Sequence, residues 1–139
     1  STKNVRYAID DNFFMFWFRF IYKYSYMLEI ENYDSVRGII GRDYETFSGL
    51  MLERYFRRVL IDTHSYTRLG GWWDRKGENE IDIIAENEFD RKATFFEVKR
   101  NAANFSRSRL EEKAAAFLRA TGRFDGYSLE YRGLSLKDM

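Results

Sequence analysis

The chain has 139 residues, enough for one compact domain with a buried core. Its hydrophobic content of 45% and aromatic content of 19% are typical of a folded protein and exclude an intrinsically disordered one. Because the formal net charge is only +1, overall charge does not by itself predict a nucleic-acid partner. The sequence has no cysteine, which excludes disulfide bonds and thiolate metal sites and fits a reducing cytosol.

Residues 1–42 are predicted to form an aromatic helix followed by a connector. Asp10 or Asp11 can cap a helix that runs to about Glu29 or Glu31. Apolar side chains cover nearly every side of this helix, so it needs more than one packing neighbour. We therefore expect it to pack on a missing upstream domain, on a partner or on a second copy of the chain. Asn, Asp, Ser and Gly in residues 32–42 predict the connector.

The same aromatic run is the only candidate for a membrane segment. Arg19 and Lys23 interrupt it well before the ~20 consecutive apolar residues that a spanning helix needs. We therefore predict a soluble, cytoplasmic protein without a membrane partner. The chain begins at Ser1 and not at a methionine, so we expect it to be a fragment of a longer protein or a processed form.

Residues 43–139 are predicted to form an α/β domain in the order α-β-β-β-α-β. A helix over residues 44–61 has a buried stripe at a spacing of three to four residues. Strands are predicted over residues 66–73, 80–86 and 93–99, and the short turns between them favour an antiparallel meander. A helix over residues 108–121 opens with a capping box of Ser108 and Glu111 and ends at Gly122. The last predicted strand covers residues 127–136.

Two neighbouring strands carry the side chains that could bind a metal or take part in catalysis. Alternation places Glu97 and Lys99 on the face of Phe95, and it places Asp82 with Glu80 and Ile84, away from Ile81 and Ile83. If the strands pair as a hairpin, Asp82 lies close to Glu97 and Lys99. Two carboxylates at a strand end form an oxygen-rich site suited to Mg²⁺ or Mn²⁺. The lysine can then orient a water nucleophile or stabilise charge on a phosphate.

Each of these residues also has a simpler interpretation. Asp82, Glu97 and Lys99 can form a cross-strand salt bridge on a solvated sheet face, stabilising by well under ~1 kcal/mol. Glu53 borders the buried stripe of its helix, so its carboxylate can reach the same site from the helix before the sheet. It can equally form an ordinary ion pair with Arg57 four residues later.

The element order, with Glu53 on a helix, Asp82 on one strand and Glu97-x-Lys99 on the next, resembles the PD-(D/E)XK nuclease superfamily. More narrowly, the chain resembles the C-terminal domain of prokaryotic archaeal-type AAA ATPases, a restriction-endonuclease-like module. The resemblance spans roughly residues 7–100 and is carried by five stretches: DNFFMFWFRF (11–20), GLMLE (49–53), GWWD (71–74), EIDI (80–83) and FEVK (96–99).

This resemblance implies a restriction-endonuclease-like core with a mixed central sheet flanked by helices. It implies that Asp82 and Glu97 are metal ligands, Lys99 the catalytic lysine and Glu53 the helix carboxylate. In the corresponding mechanism the Val98 carbonyl joins Asp82 and Glu97 in binding Mg²⁺ or Mn²⁺. Ile81 departs from the pattern, because it stands where the superfamily's name has proline. The sequence lacks a G-x-x-x-x-G-K-[ST] loop, so the ATPase is expected upstream.

The leading hypothesis is a metal-dependent DNA phosphodiester hydrolase held in a larger ATPase polypeptide. A local excess of basic residues could hold a phosphate backbone, although the same residues could form a solvated helix face. They are Arg54, Arg57, Arg58, Lys99, Arg100, Arg107, Arg109, Lys113, Arg119 and Arg123. Two alternatives stay open: a catalytically silent protein-interaction module of the same fold, and a DNA-sensing module that does not cleave.

Overall fold

The computed structural model describes residues 12–139, and the chain forms two compact units that meet in sequence between Ser48 and Gly49. The predicted cap at Asp10 or Asp11 lies outside the described residues. No helix in the described range has both the length and the apolarity required to cross a lipid bilayer.

The aromatic segment of the first unit is helical but interrupted. It comprises α1 (Asn12–Phe16), a π-helical turn (Trp17–Tyr22) and α2 (Ser25–Glu29), and not the single helix that was predicted. The π turn widens the helix, and the backbone of Tyr24 then leaves the helical region at φ −110°. Phe20 is fully buried, with ring centroids 5.0 Å from Phe16 and 5.4 Å from Phe47.

The predicted connector over residues 32–42 is wrong, because α3 runs without a break over Tyr33–Asp62. Asn32 acts as a cap, since its Oδ1 accepts a hydrogen bond from the Ser35 N–H at 3.3 Å. The polar residues therefore mark a helix start and not a loop. Gly38 and Gly41 each cost about 1 kcal/mol in a helix interior relative to alanine. Burial of Val36 in the same stretch is one packing gain that offsets this cost.

The second unit contains a four-stranded mixed sheet in the order β1-β2-β3-β4. The strands are β1 (Arg68–Trp73), β2 (Glu80–Asn87), β3 (Lys92–Val98) and β4 (Ser128–Leu134). The first three are antiparallel neighbours, as predicted, and β4 runs parallel to β3. α4 (Arg107–Thr121) connects β3 to β4, because a parallel connection needs a crossover. The prediction of a mixed α/β fold is confirmed.

Two apolar clusters cover opposite faces of the sheet. The first joins Phe95 on β3 to Leu110 and Phe117 on α4. The second joins Phe96 on β3 to Phe56 on α3. These side chains are at most 2% exposed, and burying each contributes roughly 1.5–3 kcal/mol. The sheet is therefore held between α3 and α4, and residues at its ends can meet side chains from both helices.

The start of α4 differs from its prediction. The N-cap is Ser106, whose Oγ accepts a hydrogen bond from the Arg109 N–H at 3.4 Å, and not Ser108. Glu111 does not close a capping box, because its carboxylate accepts a bond from the Arg107 guanidinium at 3.0 Å. The predicted end at Gly122 is confirmed, with φ 65° in the left-handed region that favours glycine.

Candidate functional site

A bulge in β2 determines where Asp82 lies. Gly70 of β1 pairs with Ile84, but Trp72 pairs with Ile81, so two steps along β1 match three along β2. Ile81 and Ile84 consequently pack in the first cluster, while Ile83 packs in the second. The predicted alternation through Asp82 is therefore wrong, since it put Ile81 and Ile83 on one face and Ile84 on the other.

The carboxylate of Asp82 reaches the next strand. Its Oδ2 accepts a hydrogen bond from the Val98 backbone N–H at 2.8 Å, just past the last β2–β3 pair, Ile83 with Phe96. Asp82 thus lies beside the segment that contains Glu97. Lys99 follows directly after β3, and its backbone N–H donates to the carbonyl of Leu134 at 2.9 Å. The predicted third strand therefore begins and ends one residue too late, although the backbone of Lys99 is still hydrogen-bonded to that of Leu134 at the end of β4.

Glu97 is buried and surrounded by lysines. It shares a face with Phe95, as predicted, and that face is covered by α4. Its Oε1 lies 2.9 Å from the Nζ of Lys113 on α4 and 3.9 Å from the Nζ of Lys99. Since Glu97 is only 7% exposed, this buried carboxylate needs such positive partners. The closer partner is Lys113 and not the lysine of the Glu-x-Lys motif.

Glu53 approaches Asp82 from the other helix. Its Oε1 accepts a hydrogen bond from Arg57 Nη2 at 3.2 Å, so the simple ion pair exists. The same Nη2 atom donates to the backbone carbonyl of Asp82 at 2.7 Å. Gly71 makes this arrangement possible, because a Cβ there would lie 2.9 Å from Arg57 Nη2 and 3.0 Å from the Asp82 oxygen. Arg57 therefore links the helix carboxylate to the bulged strand.

The carboxylates of this region interact electrostatically. Burial raises the pKa of Asp82, the negative charges of Glu80 and Glu97 raise it further, and the Val98 N–H and Lys113 oppose the shift. Burial and the charge of Asp82 also raise the pKa of Glu53, with Arg57 opposing. Shifted carboxyl groups that cluster in this way are typical of functional sites.

The residues that could hold a divalent cation are few. Within residues 12–139, no three histidine or acidic side chains lie together in a set that could bind a metal on their own. Asp82 and Glu97 remain as a neighbouring pair of carboxylates, with the backbone of Val98 between Glu97 and Lys99. Mg²⁺ is commonly bound through one or two carboxylates, with water and substrate oxygens completing its octahedron. The donor set fits Mg²⁺ or Mn²⁺ on these terms.

Several residues of the predicted basic surface are already paired with carboxylates. Arg58 lies 3.1 Å from Asp62, and Arg107 lies 3.0 Å from Glu111. Arg123 donates to Glu86 at 3.2 Å, which lies towards the opposite end of β2 from Asp82. The positive charge available for a phosphate backbone is therefore smaller than the sequence count suggests.

Two functional contacts were missed from sequence. Lys113 was considered only as part of a basic surface, although it lies three residues after Leu110 and four before Phe117, on the edge of the buried stripe. That position was the available signal for a lysine directed at the sheet. Gly71 was quoted only as part of a motif, and a glycine inside a strand is a known sign of a bulge or a close backbone approach.

Fold and site together define a mixed α/β domain with a buried glutamate, a half-buried aspartate and two lysines at one end of its sheet. The chain belongs to the DUF234 family, described as archaeal and bacterial proteins of unknown function, whose profile matches residues 17–115. It is 37% identical over 106 residues to MJECL04, an uncharacterized protein of Methanocaldococcus jannaschii. The match covers 71% of this chain and 23% of that protein. No solved structure matches the chain.

Proposed function

We propose that this domain is a metal-dependent DNA phosphodiester hydrolase and a module of a larger ATPase polypeptide. The observation that carries the proposal is the position of Asp82. Its carboxylate accepts a hydrogen bond from the Val98 N–H at 2.8 Å, beside Glu97. The Nζ of Lys99 lies 3.9 Å from the Oε1 of Glu97. An aspartate, a glutamate and a lysine thus lie at one strand end, a set of groups that can support metal-assisted hydrolysis of a phosphodiester.

Asp82, Glu97 and the Val98 carbonyl would hold Mg²⁺ or Mn²⁺. When bound, such an ion supplies Lewis-acid activation of the phosphate and of a water molecule. The Val98 N–H fixes one oxygen of Asp82, which orients the carboxylate before any ligand arrives. The side chain of Lys99 is 43% exposed, so its ammonium can reach a water molecule or a phosphate oxygen at the surface.

Glu53 has a supporting role in this scheme. Burial raises the pKa of the Glu53 carboxyl group, and the nearby negative charge of Asp82 raises it further. A carboxylate of this kind can accept a proton from the attacking water or assist a second ion. Arg57 fixes the orientation of Glu53 by bonding it at 3.2 Å while it also bonds the Asp82 carbonyl.

A larger polypeptide is supported by the length of the relative. The chain spans about a quarter of MJECL04, so that protein has a long region with no counterpart here. In the resemblance to archaeal-type ATPases, an upstream ATPase domain would fill this place. The first unit exposes the aromatic side chains Phe13, Phe18, Tyr22 and Tyr26 by 68%, 43%, 60% and 58%, a surface suited to a protein partner or a second copy.

A second candidate is a catalytically silent nuclease-like module that senses DNA or binds protein. The ion pair between Lys113 and Glu97 favours it, because an ammonium at 2.9 Å neutralises a carboxylate that a metal would otherwise occupy. The exposed aromatic side chains of the first unit would then be its main functional surface.

The test is a cleavage assay with duplex, single-stranded and branched DNA in Mg²⁺ or Mn²⁺. Asp82→Ala and Lys99→Ala should each abolish cleavage, and Lys76→Ala, at an exposed lysine in the turn after β1, should not. EDTA should abolish cleavage by the unmodified chain. DNA binding without cleavage would support the sensing module, and neither binding nor cleavage would support the protein-interaction module.

A further inference from the structure

Two lysines approach Glu97, and they differ in position. Lys113 Nζ lies 2.9 Å from Glu97 Oε1, within hydrogen-bond distance, whereas Lys99 Nζ lies 3.9 Å from the same atom. The side chain of Lys113 is 27% exposed, and that of Lys99 is 43% exposed. Lys113 is therefore the more enclosed ammonium and the one that is bonded to the carboxylate.

Lys113 also acts on the second carboxylate of the pair. Burial raises the pKa of Asp82, and the positive charge of Lys113 opposes that shift to a smaller extent than the Val98 N–H does. The reason is structural, because α4 covers the sheet face that carries Glu97 and projects Lys113 towards the end where Asp82 bonds to Val98. The Lys113 ammonium thus offsets negative charge on both of the carboxylates that would bind a metal.

We infer that Lys113 is a positioning residue whose ammonium occupies the cation position beside Asp82 and Glu97, and that a divalent ion must displace it from Glu97 to bind. The inference rests on the proposed function, because it takes these two carboxylates as metal ligands. Lys113 reduces the repulsion between Asp82 and Glu97 when the ion is not bound. It also weakens metal binding, because two cations compete for one carboxylate.

This competition has a measurable sign. If a lysine competes with the ion for a carboxylate, removing its charge should tighten the binding of a divalent ion. If the lysine only stabilises the structure of the site, removing it should weaken that binding. Two like charges a few ångströms apart near the surface repel strongly enough to change affinity on the order of tenfold. The long and flexible lysine side chain allows its ammonium to move into solvent once the ion is bound.

The experiment measures Mn²⁺ affinity of the full 139-residue chain by isothermal titration calorimetry, with circular dichroism to verify folding. Lys113→Gln should bind Mn²⁺ about tenfold more tightly than the unmodified chain. Lys113→Arg keeps the charge and should bind it no more tightly than the unmodified chain. Lys99→Gln is the matched control, and its affinity should change less than that of Lys113→Gln because Lys99 lies farther from Glu97.

Each outcome is informative. Unchanged or weaker Mn²⁺ binding by folded Lys113→Gln overturns the inference, and so does equal tightening by Lys99→Gln. If Lys113→Gln does not fold, the test uses Lys113→Arg instead. The inference then requires the unmodified chain to bind Mn²⁺ more tightly than Lys113→Arg does, because a guanidinium is harder to displace from Glu97 than an ammonium. If the chain cleaves DNA with a metal ion but Lys113→Gln binds Mn²⁺ with unaltered affinity, the inference about Lys113 is refuted and the proposed function is not. Absence of Mn²⁺ binding in all variants would refute the inference and the metal-dependent function together.

Discussion

The sheet of the second unit has a buried glutamate towards each end, and the two are held differently. Glu97, 7% exposed, is bonded by Lys113 at 2.9 Å and approached by Lys99 at 3.9 Å. Glu86, 9% exposed, accepts bonds from the Tyr127 hydroxyl at 2.7 Å and from Arg123 Nη2 at 3.2 Å. Both carboxylates therefore have partners, and burial alone does not distinguish them.

The partners of Glu86 pack against an aromatic ring. The guanidinium carbon of Arg123 lies 4.8 Å from the ring centroid of Phe124, and the Tyr127 ring packs 5.1 Å from the same ring. A planar guanidinium and a phenol fixed by stacking lose little entropy in forming these bonds. The hydrogen bond to Glu86 raises the pKa of Tyr127, so this donor stays protonated through the ordinary pH range. The Glu86 cluster is suited to a structural role.

The Glu97 end has flexible lysines and a surplus of negative charge. Asp82 lies beside Glu97, and the charge of Glu80 reaches Asp82 as well. A buried carboxylate with a displaceable partner and a second carboxylate nearby can exchange that partner for a metal ion. The type of counter-charge, more than burial, therefore distinguishes the proposed metal site from the Glu86 ion pair.

The largest predicted difference between the two ends is in catalysis. Glu97→Gln should lower metal-dependent DNA cleavage by at least about 100-fold, because changes even around a metal ligand commonly cost 10–100-fold. Glu86→Gln should leave the rate within about threefold, since its partners Arg123 and Tyr127 are not among the residues proposed to hold the metal or to activate water. Initial cleavage rates in Mg²⁺ measure both.

The order of the two variants should be reversed for stability, with Glu86→Gln the more destabilising. Glu86→Gln places an amide against fixed donors and should lower the free energy of unfolding by about 1–3 kcal/mol, measured by urea denaturation. Glu97→Gln should cost less, because Lys113 and Lys99 can turn towards solvent. A loss of activity in Glu86→Gln as large as that in Glu97→Gln would contradict the division into a structural and a functional end.

Much of this arrangement follows from sequence patterns. Periodicity predicted α3 from residue 44 onwards, α4 and all four strands, because their apolar faces pack on the two sides of one sheet. The placement of Glu97 with Phe95 on one face was also predictable, since β3 is regular. Local alternation is a good guide where a strand pairs without interruption on both sides.

The parts that could not be predicted depend on contacts between distant segments. The bulge at Asp82 arises from the pairing of β1 with β2, and strict alternation from the sequence cannot contain it. The helical conformation of residues 33–42 is a different case, because its cap is local: the Asn32 Oδ1 accepts a bond from the Ser35 N–H three residues later, and this asparagine was interpreted as a loop residue. Lys113 and Glu97 are 16 residues apart and meet only because α4 folds back over β3. Such contacts are properties of the tertiary structure.

A predicted effect on stability of similar size to that of Glu86→Gln concerns the glycine pair of β1. Gly71→Ala should lower the free energy of unfolding by roughly 1–3 kcal/mol, because the new Cβ would lie 3.0 Å from the rigid Asp82 carbonyl and displace Arg57. Gly70→Ala is the matched control, since a Cβ there meets nothing within 4 Å. Chemical denaturation of both variants measures the difference. Equal stability would mean that the bulge accommodates the added methyl group.

The smallest predicted effect uses the sign of two carboxyl pKa shifts. Burial, with the charges of Glu80 and Glu97, raises the pKa of Asp82, so its ionisation in the folded state costs stability as pH rises through that pKa. Asp82→Asn should therefore raise the free energy of unfolding at pH 7, and the gain should vanish below the ordinary carboxyl range. Although burial acts in the opposite direction, bonds from Asn79, Glu78 and Gly77 lower the pKa of Asp74.

Asp74→Asn provides the control of opposite sign for this pH dependence. The stability contributed by ionised Asp74 is present above the carboxyl pKa of the unfolded chain and is lost as pH falls through the lowered folded value. Asp74→Asn should therefore be less stable than the unmodified chain at pH 7 and should approach it in acid. Urea denaturation at pH 7 and at acidic pH measures both variants. A lower free energy of unfolding for Asp82→Asn at pH 7, like that expected for Asp74→Asn, would show that the negative charge of Asp82 does not destabilise this end of the sheet.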